Sequence, residues 1–170
     1  MLPYAYEPAC SPHLAGRLAG KYPEILQIIK CAEKLLQKHQ LIVVEGAGGI
    51  MVPLNENVIM LDLMKEMAYP VVLVSRFGLG TINHTLLSVN TLRAAGLNLL
   101  GVVFNRTEPT QSGSEFIEAD NPEVITRFGN VPVLGKLRHF ENLSPERQDI
   151  WQHFEADMPG LKCILDELRR

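Results

Sequence analysis

The chain has 170 residues, is 46% hydrophobic and carries a net charge of -3, which suits one buried core and a single globular domain over residues 1–170. With no run of Lys or Arg it lacks the electrostatic footprint of a nucleic-acid or anionic-membrane binder. No apolar run approaches the ~20 residues of a membrane span, and the N-terminal MLPYAYEPAC lacks the order of a signal peptide, so a soluble cytoplasmic protein is expected.

Taken in chain order, Ser11 followed by Pro12 reads as an N-cap and first helical residue of a short helix through HLAGRLAG. From Pro23 onward, Ile25, Leu26, Ile28, Ile29, Ala32, Leu35 and Leu36 recur at helical spacing and predict a long amphipathic helix. Leu41 to Val44 is short, continuous and β-branched, the pattern of a strand covered on both faces. The alternation then continues with VIMLDLMKEMA as helix, PVVLVS as strand, TINHTLLSVNTLRAAG as helix and LLGVVFN as strand. After a polar stretch whose residues 111–114 predict a mobile loop, NPEVITRFG reads as a short helix and VPVLGKL as a last strand. SPERQDIWQHF and MPGLKCILDEL form a helical tail in which Trp151, Phe154 and Leu161 are assigned to the core. Cys10, Cys31 and Cys163 are odd in number and widely spaced, offering neither a disulfide framework nor a metal cluster, and only Cys10 lies near polar residues.

Strands of four to seven residues alternating with longer helices imply βαβ units, hence an α/β fold with a parallel sheet flanked by helices. Ligands in such sheets bind beyond the carboxyl ends of the strands. Three strand ends therefore matter. The first runs into Glu45 and then Gly46, Ala47, Gly48 and Gly49. A carboxylate there suits a magnesium-nucleotide site with bare main chain beside it, or caps a neighbouring helix next to a turn whose glycines are chosen for their dihedrals. The second ends at Ser75 and passes through Gly78 and Gly80 into Thr81, Ile82 and Asn83, where an anion can dock on a helix N-terminus or Thr81 simply caps its own helix. The third ends in Asn105 and Arg106; an Asn at that point either pairs with the edge of a purine or holds a turn.

EPxxSPH, VVEGAGGxxVPL, GLGTINHTLL, AAGLxLxGVVFNR and PVLGKL, in that order, resemble the dethiobiotin synthetases, members of the phosphate-binding-loop NTPase class. The resemblance implies ATP- and Mg2+-dependent joining of carbon dioxide to 7,8-diaminononanoate, closing a ureido ring. It implies that Glu45 binds the metal, that Gly46, Ala47 and Gly48 line substrate and nucleotide, and that Asn105, with Arg106 beside it, reads adenine. Arg138, His139 and Phe140 fall on the family's last nucleotide-binding loop, and Glu146 after Pro145 on a ribose or base contact, although HFENLSPE aligns only with a gap. Pro8, Ser11 and Pro12 resemble the loop beside the diamine, with AlaCysSer one residue longer than the commoner spacing. Gly80, Thr81, Ile82 and Asn83 resemble the helix start that receives the substrate carboxylate from the adjacent subunit, which implies a homodimer.

The family's G-x-x-x-x-G-K-[ST] loop does not occur in these residues. The expectation is therefore a synthetase chain missing its first βα unit and its phosphate-binding loop. A non-catalytic dimerisation or regulatory module of that descent, and a cobyrinate-amidotransferase or partition-type ATPase, are the alternatives.

Overall fold

A computed structural model describes residues 2–7, 9–109, 112–144 and 146–168. Its contacts divide the chain into two compact units, Met1–Tyr69 and Pro70–Arg170. Among the described residues no helix is long and apolar enough to cross a membrane.

The first unit carries three helices: α1 (Pro12–Leu18), α2 (Ile25–Leu36) and α3 (Met60–Met67). Ser11 and Pro12 open α1 as the sequence predicts, the proline occupying a first-turn position that needs no N–H donor. α2 turns its apolar stripe inward, so that Ile25, Ile28 and Ile29 pack against Leu54, Met60 and Leu63. Asn55 holds the approach to α3: its side chain donates to the Pro23 carbonyl at 2.9 Å and accepts from the N–H groups of Asn57 and Val58. The Asp62 carboxylate, in the first turn of α3, accepts the Ile59 N–H at 2.9 Å.

Leu41 to Val44 departs from expectation. The segment is not a strand, and Leu41, Val43 and Val44 are exposed, Val43 at 89%. A β-branched apolar run becomes a strand only when a neighbouring backbone accepts its N–H groups and donates to its carbonyls. In this unit the described backbone offers one isolated β-bridge, between Pro53 and Ile59.

The second unit is a doubly covered parallel sheet. β1 (Val71–Ser75), β2 (Leu99–Asn105) and β3 (Val133–Leu137) lie in the order β1-β2-β3 and pair in parallel throughout. α4 (Thr81–Ala94) and α5 (Glu115–Gly129) are the crossovers, and α6 (Gln148–Asp157) and α7 (Leu161–Glu167) follow β3. Side chains of successive strand residues alternate between faces. Val102 and Phe104 pack with Val89 of α4 and Ile125 of α5, while Val103 and Leu134 pack with Met158, Phe154, Leu161 and Ile164. β2 thus has helices on both faces, which is why it reads as an unbroken apolar run. The tail helices pack on the face of Val103 and Leu134 and leave Val74 of β1 62% exposed; Trp151, assigned to the core from sequence, is 50% exposed and meets the Phe154 ring edge-on.

α5 begins six residues earlier than NPEVITRFG suggests and runs through Pro122. An internal proline removes one helical hydrogen bond. Two tertiary ties hold the extra turns in place: Glu118 pairs with Arg106, and the buried Asn121 side chain donates to the Phe77 carbonyl at 2.6 Å. Of the predicted mobile loop, Gln111 lies outside the described residues, Gly113 adopts φ +85 and Ser114 forms the helix N-cap.

Phe104, fully buried on β2, anchors the α4–α5 face. Replacement by Ala is expected to lower unfolding free energy by about 3–5 kcal/mol, read as a fall in the urea midpoint at constant slope; a loss below about 1 kcal/mol would show that this face is not the unit's core.

Candidate functional site

The carboxyl ends of β2 and β3 stand side by side because their ladder continues one residue past β2, where the Arg106 N–H donates to the Leu137 carbonyl at 3.1 Å. Beyond them opens a cavity of about 520 Å3. Phe77, buried in its lining, packs obliquely on Phe104, ring centroids 5.3 Å apart, and carries the Arg106 guanidinium 4.7 Å above its own ring. Arg106 also forms an ion pair with Glu118 of α5.

On the β3 side, Arg138 is held by Asp157 at the C-terminal end of α6. The Asp157 carboxylate accepts the Arg138 backbone N–H at 3.0 Å, Nε–H at 2.8 Å and an Nη2–H at 2.6 Å. These hydrogen bonds from Arg138 draw the Asp157 carboxyl below its ordinary value of 3.8 and raise the guanidinium in turn. Arg106, Lys136 and Arg138 face Glu115, Glu118 and Asp157 around the cavity, so three positive charges meet three negative ones and the formal sum is zero.

A smaller cavity of about 290 Å3 lies at the end of β1. Its wall is a hydroxyl cluster: Ser75 bonds to Thr81 at 2.8 Å and to Thr85, and Thr81 donates to the Arg76 carbonyl at 2.6 Å. Thr81 is therefore the first helical residue tied back to the preceding loop, and the N-cap is Gly80, at φ +88, with no side-chain cap. Ile82 is half-buried and Asn83 exposed in the first turn of α4.

The remaining predicted residues distribute as follows. Arg106 and Arg138 line the larger cavity; Asn105, His139, Phe140 and Glu146 do not. Asn105 is the half-buried last residue of β2, and its side-chain amide makes no hydrogen bond to a described residue. His139 and Phe140 follow Arg138, with the His139 Nδ1 buried and unpartnered. Glu146 is exposed and accepts the Ser144 hydroxyl, which holds its carboxyl below the usual range. In the first unit, Ser11 is the N-cap of α1, and Pro8 lies outside the described residues. Glu45, Gly46, Ala47 and Gly48 are all exposed, so the carboxylate is not at the tip of a buried strand as expected. No described helix amide caps it. Gly48 sits at φ +84, and a Cβ there would lie 2.9 Å from the Val52 side chain, so the backbone itself requires glycine.

Among the described residues no group of three His, Cys, Asp or Glu gathers as a metal cage. Magnesium does not need one, because it keeps several waters and takes one or two protein carboxylates together with substrate phosphates. An exposed, unpartnered carboxylate such as Glu45 suits that role. Sequence reasoning missed Phe77, Glu118, Lys136 and Asp157. Lys136 and Phe77 lie inside stretches it had noticed, whereas Asp157 has no local motif to mark it.

A parallel sheet with helices on both faces and a cavity beyond two adjacent strand ends is the ligand-binding arrangement of an α/β domain, and the family described as AAA domain matches residues 1–147. The ATP-dependent dethiobiotin synthetase BioD of Bacillus subtilis strain 168 is 35% identical over 166 residues, covering 98% of this chain and 69% of its own length. The corresponding proteins of Nitrobacter hamburgensis and Halalkalibacterium halodurans are 43% and 40% identical, covering 92% and 78% of this chain and 67% and 54% of theirs. The chain belongs to the dethiobiotin synthetase family.

A carboxyl whose folded value is lowered contributes stability that is present above its unfolded value and disappears as pH falls through the folded one. The gap in thermal midpoint between wild type and Asp157→Asn is therefore expected to be widest near neutral pH and to close as pH drops below 3.8, the ordinary value. A gap that stays constant down to acid unfolding would show that the Arg138–Asp157 pair does not titrate with folding.

Proposed function

We propose that this chain acts in ATP-dependent dethiobiotin synthesis, the cavity beyond β2 and β3 holding the base and ribose of ATP. The observation that carries this reading is the convergence of Arg106, backed by the Phe77 ring, and Arg138 on one cavity whose lining has no net formal charge. A flat, neutral heterocycle gains from stacking on a guanidinium plane and from hydrogen bonds at fixed donors; Asn105 is not part of the cavity lining, but as the last residue of β2, next to Arg106, its amide offers both a donor and an acceptor to a purine edge at the rim. Because no G-x-x-x-x-G-K-[ST] run occurs among the 170 residues, the base and ribose, rather than the triphosphate, are the parts assigned to this cavity.

In the reaction proposed for the complete site, one amine of 7,8-diaminononanoate attacks carbon dioxide to give a carbamate. The carbamate oxygen takes the γ-phosphoryl group, and the second amine then displaces phosphate to close the ureido ring. Such transfers depend on positioning and on stabilising charge at phosphoryl oxygens, and they need no protein nucleophile. Glu45 would be the oxygen donor this chain offers to magnesium, which when bound would supply that charge stabilisation. Gly46, Ala47 and Gly48 let ligand approach the main chain beside it, while Ser11 flanks the diamine. The uncapped start of α4, from Gly80 to Asn83, suits a carboxylate, since its N–H groups and the helix dipole both favour an anion. That carboxylate is assigned to substrate from the adjacent subunit of a cytoplasmic homodimer. His139 and Phe140 are assigned to the last nucleotide-binding loop, and Glu146 to a ribose or base contact.

Titration of the chain with ADP, followed by amide and arginine side-chain NMR, is expected to shift Asn105, Arg106 and Arg138. Asn105→Ala should weaken ADP about tenfold, close to 1.4 kcal/mol. Saturation without shifts at these three residues would remove the nucleotide from this cavity. Titration with magnesium is expected to shift the amide signals of Glu45 and Gly46 in wild type and not those of the same positions in Glu45→Gln; equal shifts in both would take Glu45 out of the metal site.

A further inference from the structure

We propose that Asp157 is a positioning residue for the nucleotide, acting through Arg138; the inference rests on the assignment of the β2–β3 cavity to the base and ribose. Asp157 lies ten residues beyond the end of the AAA-domain match at residue 147, on a helix that otherwise serves to cover the sheet.

Two glycines put it there. On β3, a Cβ at Gly135 would stand 2.8 Å from the Asp157 carbonyl oxygen, and at Gly160 one would stand 2.6 Å from the Leu134 Cα. The Gly160 N–H donates to the Leu134 carbonyl at 2.7 Å. The turn between α6 and α7 therefore rests directly on the β3 backbone, and Met158 is buried beneath it. From that seat the Asp157 carboxylate, itself only 11% exposed, reaches Arg138 just past the end of β3.

The contact is a fork. Asp157 takes two side-chain donors and the main-chain N–H of the same arginine, fixing both the guanidinium plane and the start of the loop that carries His139 and Phe140. Three of the five guanidinium N–H donors remain for a ligand, and the side chain is 49% exposed. An unpaired arginine samples many rotamers and must be ordered when ligand binds, whereas one already held in place avoids that loss. Asp157 also supplies one of the three negative charges that balance the lining, which keeps the cavity suited to a neutral base.

The experiment is a double-mutant cycle on the 170-residue chain with adenosine as the probe, each variant being checked by thermal melting. Asp157→Asn is expected to raise the adenosine Kd about tenfold and to collapse the shifted Arg138 Nε–H signal, but to change Kd by less than about twofold in an Arg138→Ala background. Equal weakening in both backgrounds, or wild-type affinity in Asp157→Asn, would overturn the positioning role and leave the nucleotide assignment standing. Failure of wild type to bind adenosine would overturn the assignment and this inference with it. Should Asp157→Asn not fold, Asp157→Glu serves instead: it keeps the charge but displaces the carboxylate from the fork, so a loss of about tenfold that vanishes in the Arg138→Ala background supports the inference and wild-type affinity overturns it.

Discussion

The site depends on the burial of β2 from both sides. Val102 and Phe104 are wholly buried on one face and Val103 nearly so on the other, so the strand has little freedom to slip: moving it one residue would exchange its faces and leave cavities in both cores. Its register against β3 is fixed with it, and the Arg106 main chain meets Leu137. The two arginines at the cavity come from different strands and reach the same place only because that ladder holds. Binding chemistry at the strand ends is therefore a consequence of packing further down the strands.

Electrostatics then decides what kind of ligand the cavity suits. Arg106 and Arg138 each lie against a carboxylate from a helix, Glu118 of α5 and Asp157 of α6. Pairing lowers the net field while retaining directional N–H donors, a combination that recognises a planar, uncharged group better than a polyphosphate. Phe77 supports the Arg106 guanidinium from beneath, and its own backbone is tied down by Asn121. α5 thus contributes to the site twice, through Glu118 and Asn121, and both contacts lie within the turns that precede or adjoin its internal proline.

Much of the second unit was legible because its signals are local. Continuous β-branched runs marked β1 and β2, the alternation of such runs with longer segments placed α4 between them, and polar residues at the ends of β1 and β2, Ser75 and Asn105, marked the ligand end of the sheet. What failed were features that depend on distant partners. Leu41–Val44 has the composition of a strand but no ladder partner among the described residues, and composition supplies no hydrogen bonds. Pro122 looked like a helix start, yet contacts of Glu118 and Asn121 with residues far off in sequence hold the helix on both sides of it. Asp157 could not be found from its neighbours, since its importance comes from the glycines that let α6 end on β3. Trp151 was taken as core by type, but the face of α6 that it occupies is partly open to solvent.

The glycines separate two demands that sequence alone runs together. Gly48 needs its positive φ and would clash with Val52 if substituted, so its presence is accounted for by the turn before any ligand is considered. Gly49, by contrast, has φ outside the left-handed region and open space where a Cβ would stand, so nothing within the described fold demands glycine there. At Gly135 the demand is packing, because the α6–α7 turn fills the space a side chain would take. One residue type thus serves chain reversal in one unit and close approach of two elements in the other. Only the second use carries through to the cavity, by setting how near a carboxylate on the covering helix can come to the strand end.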